Sequence, residues 1–295
     1  MNFLKFSLLI LLILIASPFI WAQNNFINTS ESFANKQKQE AVAEELRLSF
    51  LAHKPSFVLP LSYNFDPNPE GNGSLDNVDN AEVKFQFSFK LNLIDNFLDH
   101  FKLSFGYTNL SFWQLYNKQD SAAFRETNHE PELFFLYNPR AWSSQNTKSI
   151  YRWGFVHQSN GRDVGLSRSW NRIYVQNIRD LEFVVADVKI WHRLKERAKV
   201  NPEDARGDDN PDITDFLGNF ELRFSSQFYK NTWSILIRNN LKSDNKGAVE
   251  LSLSVPFKNS LKFYVQYFKG YGDSLIDYNF SIERFSLGFV IADWL

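Results

Sequence analysis

VKFQFSFKLN, Val83 to Asn92, decides the fold. Val83, Phe85, Phe87, Phe89 and Leu91 alternate with Lys84, Gln86, Ser88, Lys90 and Asn92. Side chains of a β-strand point to opposite faces with a period of two. As a strand, the segment therefore has one bare apolar face and one polar, charged face. The same division recurs further on. Gly218, Phe220, Leu222, Phe224 and Ser226 alternate with Asn219, Glu221, Arg223, Ser225 and Gln227, and Val249, Leu251, Leu253 and Val255 alternate with Glu250, Ser252 and Ser254. A soluble sandwich alternates too, but its strands are usually shorter. Phenylalanine and leucine on one face with charge on the other is the pattern of a barrel with lipid outside and a polar lumen.

Working outward, strands are expected to begin near Ser56, Ala81, Phe101, Glu130, Ser149, Arg168, Leu181, Asp212, Asn231, Ala248, Leu261 and Asp277. That is twelve, an even number, as bacterial single-chain barrels require. Breakers separate them at Pro67 to Gly73, Asn138 to Pro139, Asn201 to Pro211 and Asp244 to Gly247. The expected fold is all-β: a twelve-stranded antiparallel transmembrane β-barrel of the bacterial outer membrane, over residues 56–295. The last strand, FSLGFVIADWL, sets Phe285, Leu287, Phe289 and Ile291 on one face and ends on Leu295 after Trp294. Outer-membrane strands usually finish on an aromatic residue, so this ending is slightly off pattern.

The N-terminus supports export. Lys5 precedes an apolar run from Phe6 to Ile15, then small residues and Ala22. Residues 1–22 read as a signal peptide, since the run is shorter than the ~20 residues a helix needs to cross a bilayer. Residues 23–55 read as a periplasmic extension, with a short helix expected from Ala41 to His53. The chain has 30 Phe, 11 Tyr and 8 Trp and no cysteine, which excludes disulfide and thiolate chemistry. A formal net charge of −1 argues against a nucleic-acid partner.

Chemistry concentrates in YRWGFVHQSNGRDVGLSRSWNRIYVQ, Tyr151 to Gln176, which reads as two strands around a polar loop. Trp153, Phe155, His157 and Ser159 share one face of the first strand. Asn171, Ile173 and Val175 share one face of the second. Paired as a hairpin, the strands bring His157, Ser159 and Asn171 onto one aromatic surface. A serine, a base and an orienting amide suggest nucleophilic catalysis. Asparagine is neutral and orients an imidazolium better than it stabilises its charge, so a cation near the oxyanion is a natural complement. Elsewhere, His53, His100, His129 and His192 show no metal-ligand spacing and read as loop or interfacial residues. Asp208, Asp209 and Asp212 read as a solvated turn, and Lys195 to Lys199 as a charged turn at the membrane surface.

With that hairpin on a barrel, the chain resembles the outer membrane phospholipase A family. The signature is His157-Gln158-Ser159-Asn160-Gly161-Arg162 followed by Ser167-Arg168-Ser169-Trp170-Asn171-Arg172. YTNLSFWQLYN from Tyr107, FRETNHEPELF from Phe124, DDNPDIT from Asp208 and GYGDSLIDYNF from Gly270 agree as well. The resemblance implies Ser159 as nucleophile, His157 as general base, Asn171 as orienting residue and the Gly161 N–H as oxyanion donor. It implies Ca²⁺ held by the main-chain carbonyls of Arg162 and Ser167 together with the Ser121 hydroxyl from a second subunit. The active form would then be a homodimer. Carbonyl and hydroxyl oxygens suit a hard cation. Asn109 would lie in the dimer interface, with a shorter reach than the glutamine frequent there. The loop Asp163-Val164-Gly165-Leu166 keeps the family's length but not its residues, and only Asp163 offers a carboxylate for any second calcium site. The implied activity is hydrolysis of acyl esters in glycerophospholipids and lysophospholipids. A non-enzymatic porin or transporter barrel, or a lipopolysaccharide deacylase, are the alternatives.

Overall fold

The computed structural model describes residues 29–45, 50–71, 75, 77–97, 101–137, 148–201, 204, 206–258 and 261–295. The expected signal peptide and the expected turn at Asn138–Pro139 lie outside the described residues. The described residues begin with a helix, α1 (Thr29–Glu45), followed by a two-residue strand, β1 (Leu51–Ala52). There follow β2 (Ser56–Asn64), β3 (Ala81–Phe97), β4 (Phe101–Trp113), β5 (Phe124–Tyr137), β6 (Ser149–Ser159) and β7 (Ser169–Asp180). Then come β8 (Val185–Leu194), the short helix α2 (Ile213–Leu217), β9 (Phe220–Phe228), β10 (Asn231–Asn239), β11 (Gly247–Lys258), β12 (Leu261–Tyr271) and β13 (Ser281–Ala292).

All neighbouring strands from β2 to β13 pair antiparallel, and β13 pairs back onto β2, which closes a barrel of twelve strands. The stub β1 sits beside β3, with Leu51 opposite Lys90. Strands run from 9 residues in β2 to 17 in β3, compatible with the ~9–11 residues a tilted strand needs to cross a bilayer. Burial is inverted relative to a soluble protein. Phe87, Leu133, Tyr151, Phe155, Ile173, Val175 and Phe263 are exposed, while Lys84, Lys90, Glu132 and Arg284 are buried. Apolar side chains outside and charges within a closed sheet fit lipid around the wall.

The charges inside are paired, as burial demands. Arg284 reaches Asp273 at 2.6 Å and Glu82 at 2.7 Å, and Lys84 reaches Asp273 at 2.7 Å. Arg125 joins Glu82 at 3.1 Å and Asp277 at 2.9 Å. Asp273 and Asp277 belong to the loop after β12, which folds into the barrel mouth.

Several expectations shift. The helix is not at Ala41–His53 but at Thr29–Glu45, because its contacts with the barrel rim fix it. Lys36 Nζ donates to the Asp293 carbonyl at 2.7 Å, Ser30 Oγ donates to Asp180 at 2.7 Å, and Glu40 pairs with Lys90 at 2.6 Å. His53 is no interfacial residue. It lies inside the barrel, stacked on Phe134 at 5.4 Å and 2.9 Å from Glu132. The strand expected from Glu130 begins at Phe124, since its first half pairs with β4. Pro131 is tolerated there because the β5–β6 ladder has a gap between His129↔Ser159 and Glu132↔Val156. A residue without an N–H fits such a gap. The strands expected from Asp212 and Asp277 start at Phe220 and Ser281, because α2 and the inward loop occupy the intervening residues.

Candidate active site

The hairpin β6–β7 sets the geometry. His157 lies opposite Asn171, and Ser159 opposite Ser169. The inward-facing residues Val156, Trp170, Arg172 and Tyr174 are buried, so the alternate residues His157, Ser159 and Asn171 share the outer wall with exposed Phe155, Ile173 and Val175. Oδ1 of Asn171 lies 2.9 Å from His157 Nδ1. With the amide oxygen accepting, Nδ1 carries the proton and Nε2 is left as the basic nitrogen. Ser159 follows His157 by two residues on the same face. A base oriented by an amide beside a hydroxyl is the arrangement that activates a serine.

Behind the hairpin lies the largest apolar cluster. Val156, Trp170 and Tyr174 pack with Phe134, Trp191, Ile213, Leu217, Leu275 and Tyr278. Two of the sequence stretches therefore serve as its backing: DDNPDIT carries Asn210 and Ile213, and GYGDSLIDYNF carries Leu275 and Tyr278. The Ser169 N–H donates to Asn210 Oδ1 at 2.9 Å, and the Tyr278 hydroxyl donates to Asp212 at 2.7 Å. Asp212 is thus a structural partner and not part of a merely solvated turn.

Asn160, unnoticed as a site residue from sequence, organises the loop between the strands. It is buried. Its Oδ1 accepts from the Arg168 N–H at 2.9 Å, and its Nδ2 donates to the Leu166 carbonyl at 2.9 Å. This frame holds Gly161 at φ +60°, a left-handed conformation that glycine adopts without strain. The Arg168 guanidinium donates to the carbonyls of Gly165, at 3.1 Å, and Ser167, at 2.7 Å. The Ser167 hydroxyl donates to Asp209 at 2.7 Å, and Asp209 pairs with Lys199 at 2.5 Å. Asp163 is exposed.

Ser121 is exposed, at φ +54°, in the loop between β4 and β5. Asn109 faces outward on β4 and accepts from the Ser111 hydroxyl at 3.1 Å. His129 adjoins the site: it lies opposite Ser159 on β5, with Nδ1 2.7 Å from the Tyr107 hydroxyl. His192 is exposed on β8, and His100 lies outside the described residues. Sequence reading also missed Glu196, whose Oε1 accepts from Asn171 Nδ2 at 2.9 Å.

A lipid-facing serine, histidine and amide on a closed barrel define a class, the integral outer-membrane hydrolases. The comparisons name the family. A family model described as Phospholipase A1 matches residues 33–291. Phospholipase A1 of Klebsiella pneumoniae is 36% identical over 236 residues, 79% of each chain. The Escherichia coli (strain K12) protein is 36% identical over 77% of this chain and 76% of its own. The outer membrane phospholipase A structure from Escherichia coli superposes with a TM-score of 0.75 at 32% identity, covering 83% of this chain and 99% of that one. A Salmonella typhi outer membrane phospholipase structure, a dimer with bound calcium, gives 0.74 at 31% identity over 83% and 93%. The chain belongs to the outer membrane phospholipase A family. It is a phospholipase A1, a carboxylic ester hydrolase, on a β-barrel of the bacterial outer membrane.

Proposed function

We propose that the protein is a calcium-dependent phospholipase that hydrolyses acyl esters of glycerophospholipids and lysophospholipids and is active as a homodimer. One observation carries the catalytic part: the 2.9 Å His157–Asn171 bond on the same lipid-facing surface as Ser159. In this reading, His157 Nε2 takes the Ser159 proton as Oγ attacks the ester carbonyl. Asn171 holds the imidazole, and the Gly161 N–H donates to the oxyanion. His157 then returns the proton to the leaving alkoxide. Water repeats the sequence on the acyl-serine.

The donor set fits calcium. The Ser167 carbonyl accepts from the Arg168 guanidinium at 2.7 Å, so that guanidinium would have to swing aside for calcium to take this oxygen. Arg162 and Ser167 would give carbonyls, and Ser121 of the partner subunit a hydroxyl, all hard oxygens. Bound there, calcium would offset negative charge on the oxyanion. Asn109, on the outward face of β4, would lie between subunits. The Salmonella typhi relative is a dimer with bound calcium, which supports a metal and a dimer here. The test is fatty-acid release from phosphatidylcholine in mixed micelles by refolded protein, with calcium or with chelator. Calcium-dependent release is expected, and release unaffected by chelator rejects the metal's role.

A further inference from the structure

An asparagine in a catalytic set has a weakness that an aspartate lacks. Its side chain can turn over by 180°, exchanging Oδ1 and Nδ2. With Oδ1 toward His157, Nδ1 is protonated and Nε2 can accept the serine proton. With Nδ2 toward His157, Nδ1 must become the acceptor, the proton moves to Nε2, and the base is disabled. Something has to tell the amide which way to face.

We infer that Glu196 is the positioning residue that fixes the orientation of the Asn171 amide. Asn171 lies opposite Leu194, at the end of β8, and Glu196 follows two residues later. Its Oε1 is 2.9 Å from Asn171 Nδ2, and the other end of the same amide is 2.9 Å from His157 Nδ1. A carboxylate only accepts, so it selects the NH₂ end of the amide and turns the oxygen to the imidazole. Its charge also polarises the amide and strengthens the second bond. The group is half-buried and bonds to the end of the Asn171 amide opposite the one that faces His157, so it acts through Asn171. The inference rests on the Ser159–His157–Asn171 reading and deepens it: the catalytic chain has a fourth member, which supplies the anion that asparagine does not.

The experiment measures steady-state hydrolysis of phosphatidylcholine in mixed micelles by refolded full-length variants. Glu196→Ala should lower kcat about tenfold, the scale of one lost hydrogen bond to a charged group, with KM little changed. Glu196→Gln, whose amide oxygen still accepts, should recover most of that loss. In an Asn171→Asp background, where both oxygens are equivalent, adding Glu196→Ala should cost nothing further. Wild-type kcat in Glu196→Ala, no rescue by glutamine, or an equal loss in the aspartate background would each overturn the assignment. Ser159→Ala is the control on the underlying reading. If it still hydrolyses lipid, the catalytic set is wrong. If it is inactive while Glu196→Ala is fully active, only the role of Glu196 fails.

Discussion

Asn171→Ala separates orientation from chemistry. The substitution removes the acceptor 2.9 Å from His157 Nδ1 and nothing from the backbone, so the His157↔Asn171 ladder pair stays. The imidazole keeps its basicity and loses the contact that holds it. In the proposed mechanism, the bond matters most once the ring has taken the serine proton and become charged. A hydrogen bond to a charged group contributes roughly 1.5–3 kcal/mol, which is a factor of about ten to about 150 in rate. The loss should fall on kcat. The neighbouring side chain facing the membrane is Ile173, so the vacated volume opens to lipid and leaves no sealed cavity in the core. Folding should be intact, checked by the heat-modifiable mobility of the barrel in SDS. Fatty-acid release, measured beside wild type and Ser159→Ala, gives the comparison. Loss as complete as that of Ser159→Ala would refute an orienting role, and so would unchanged kcat.

Ser159→Ala itself should reduce turnover by on the order of 10⁵-fold or more with an unchanged barrel, which a single-turnover assay checks. Ser121→Ala should weaken calcium affinity, dimerisation and turnover together, because a shared ligand links them; analytical ultracentrifugation in detergent across a calcium titration tests this, and a fully active monomer would contradict it. Gly161→Ala has open space for its methyl but carries φ +60°. It should strain the loop by about 1–2 kcal/mol and lower kcat more than it raises KM. Arg284→Met leaves Asp273 and Glu82 short of a buried partner, and should cost roughly 3–5 kcal/mol in urea unfolding from liposomes while hydrolysis at room temperature persists.

How far the sequence foretold these features depended on range. Val83–Asn92 announces a strand because lipid and lumen impose a period of two, and the starts at Ser56, Ala81, Phe101, Ser149, Asn231 and Leu261 coincide with those observed. His157, Ser159 and Asn171 were legible for the same reason, since the hairpin puts odd-numbered residues outside. The helix was not, because Thr29–Glu45 carries no strong apolar stripe and is held by Lys90, Asp180 and Asp293. His53 looked like a loop residue because its partners, Glu132 and Phe134, are far away in sequence. Asn160 and Glu196 act through the loop and through Asn171, contacts without any periodic trace. Glu196 comes into place because Leu194, two residues before it, lies opposite Asn171.

With Ser159 as the nucleophile, a site on the outer wall makes the solvent and the reactant the same material. Ser159 meets molecules confined to a sheet of lipid, so encounter frequency follows the number of cleavable molecules per unit area and not per litre. Detergent that dilutes the surface should slow the reaction at constant bulk lipid. Saturation should be expressed as a mole fraction. Products would also remain in that plane, where a fatty acid would compete for the apolar wall around exposed Phe155. Rates for this protein therefore carry meaning only with the composition of the surface stated beside them.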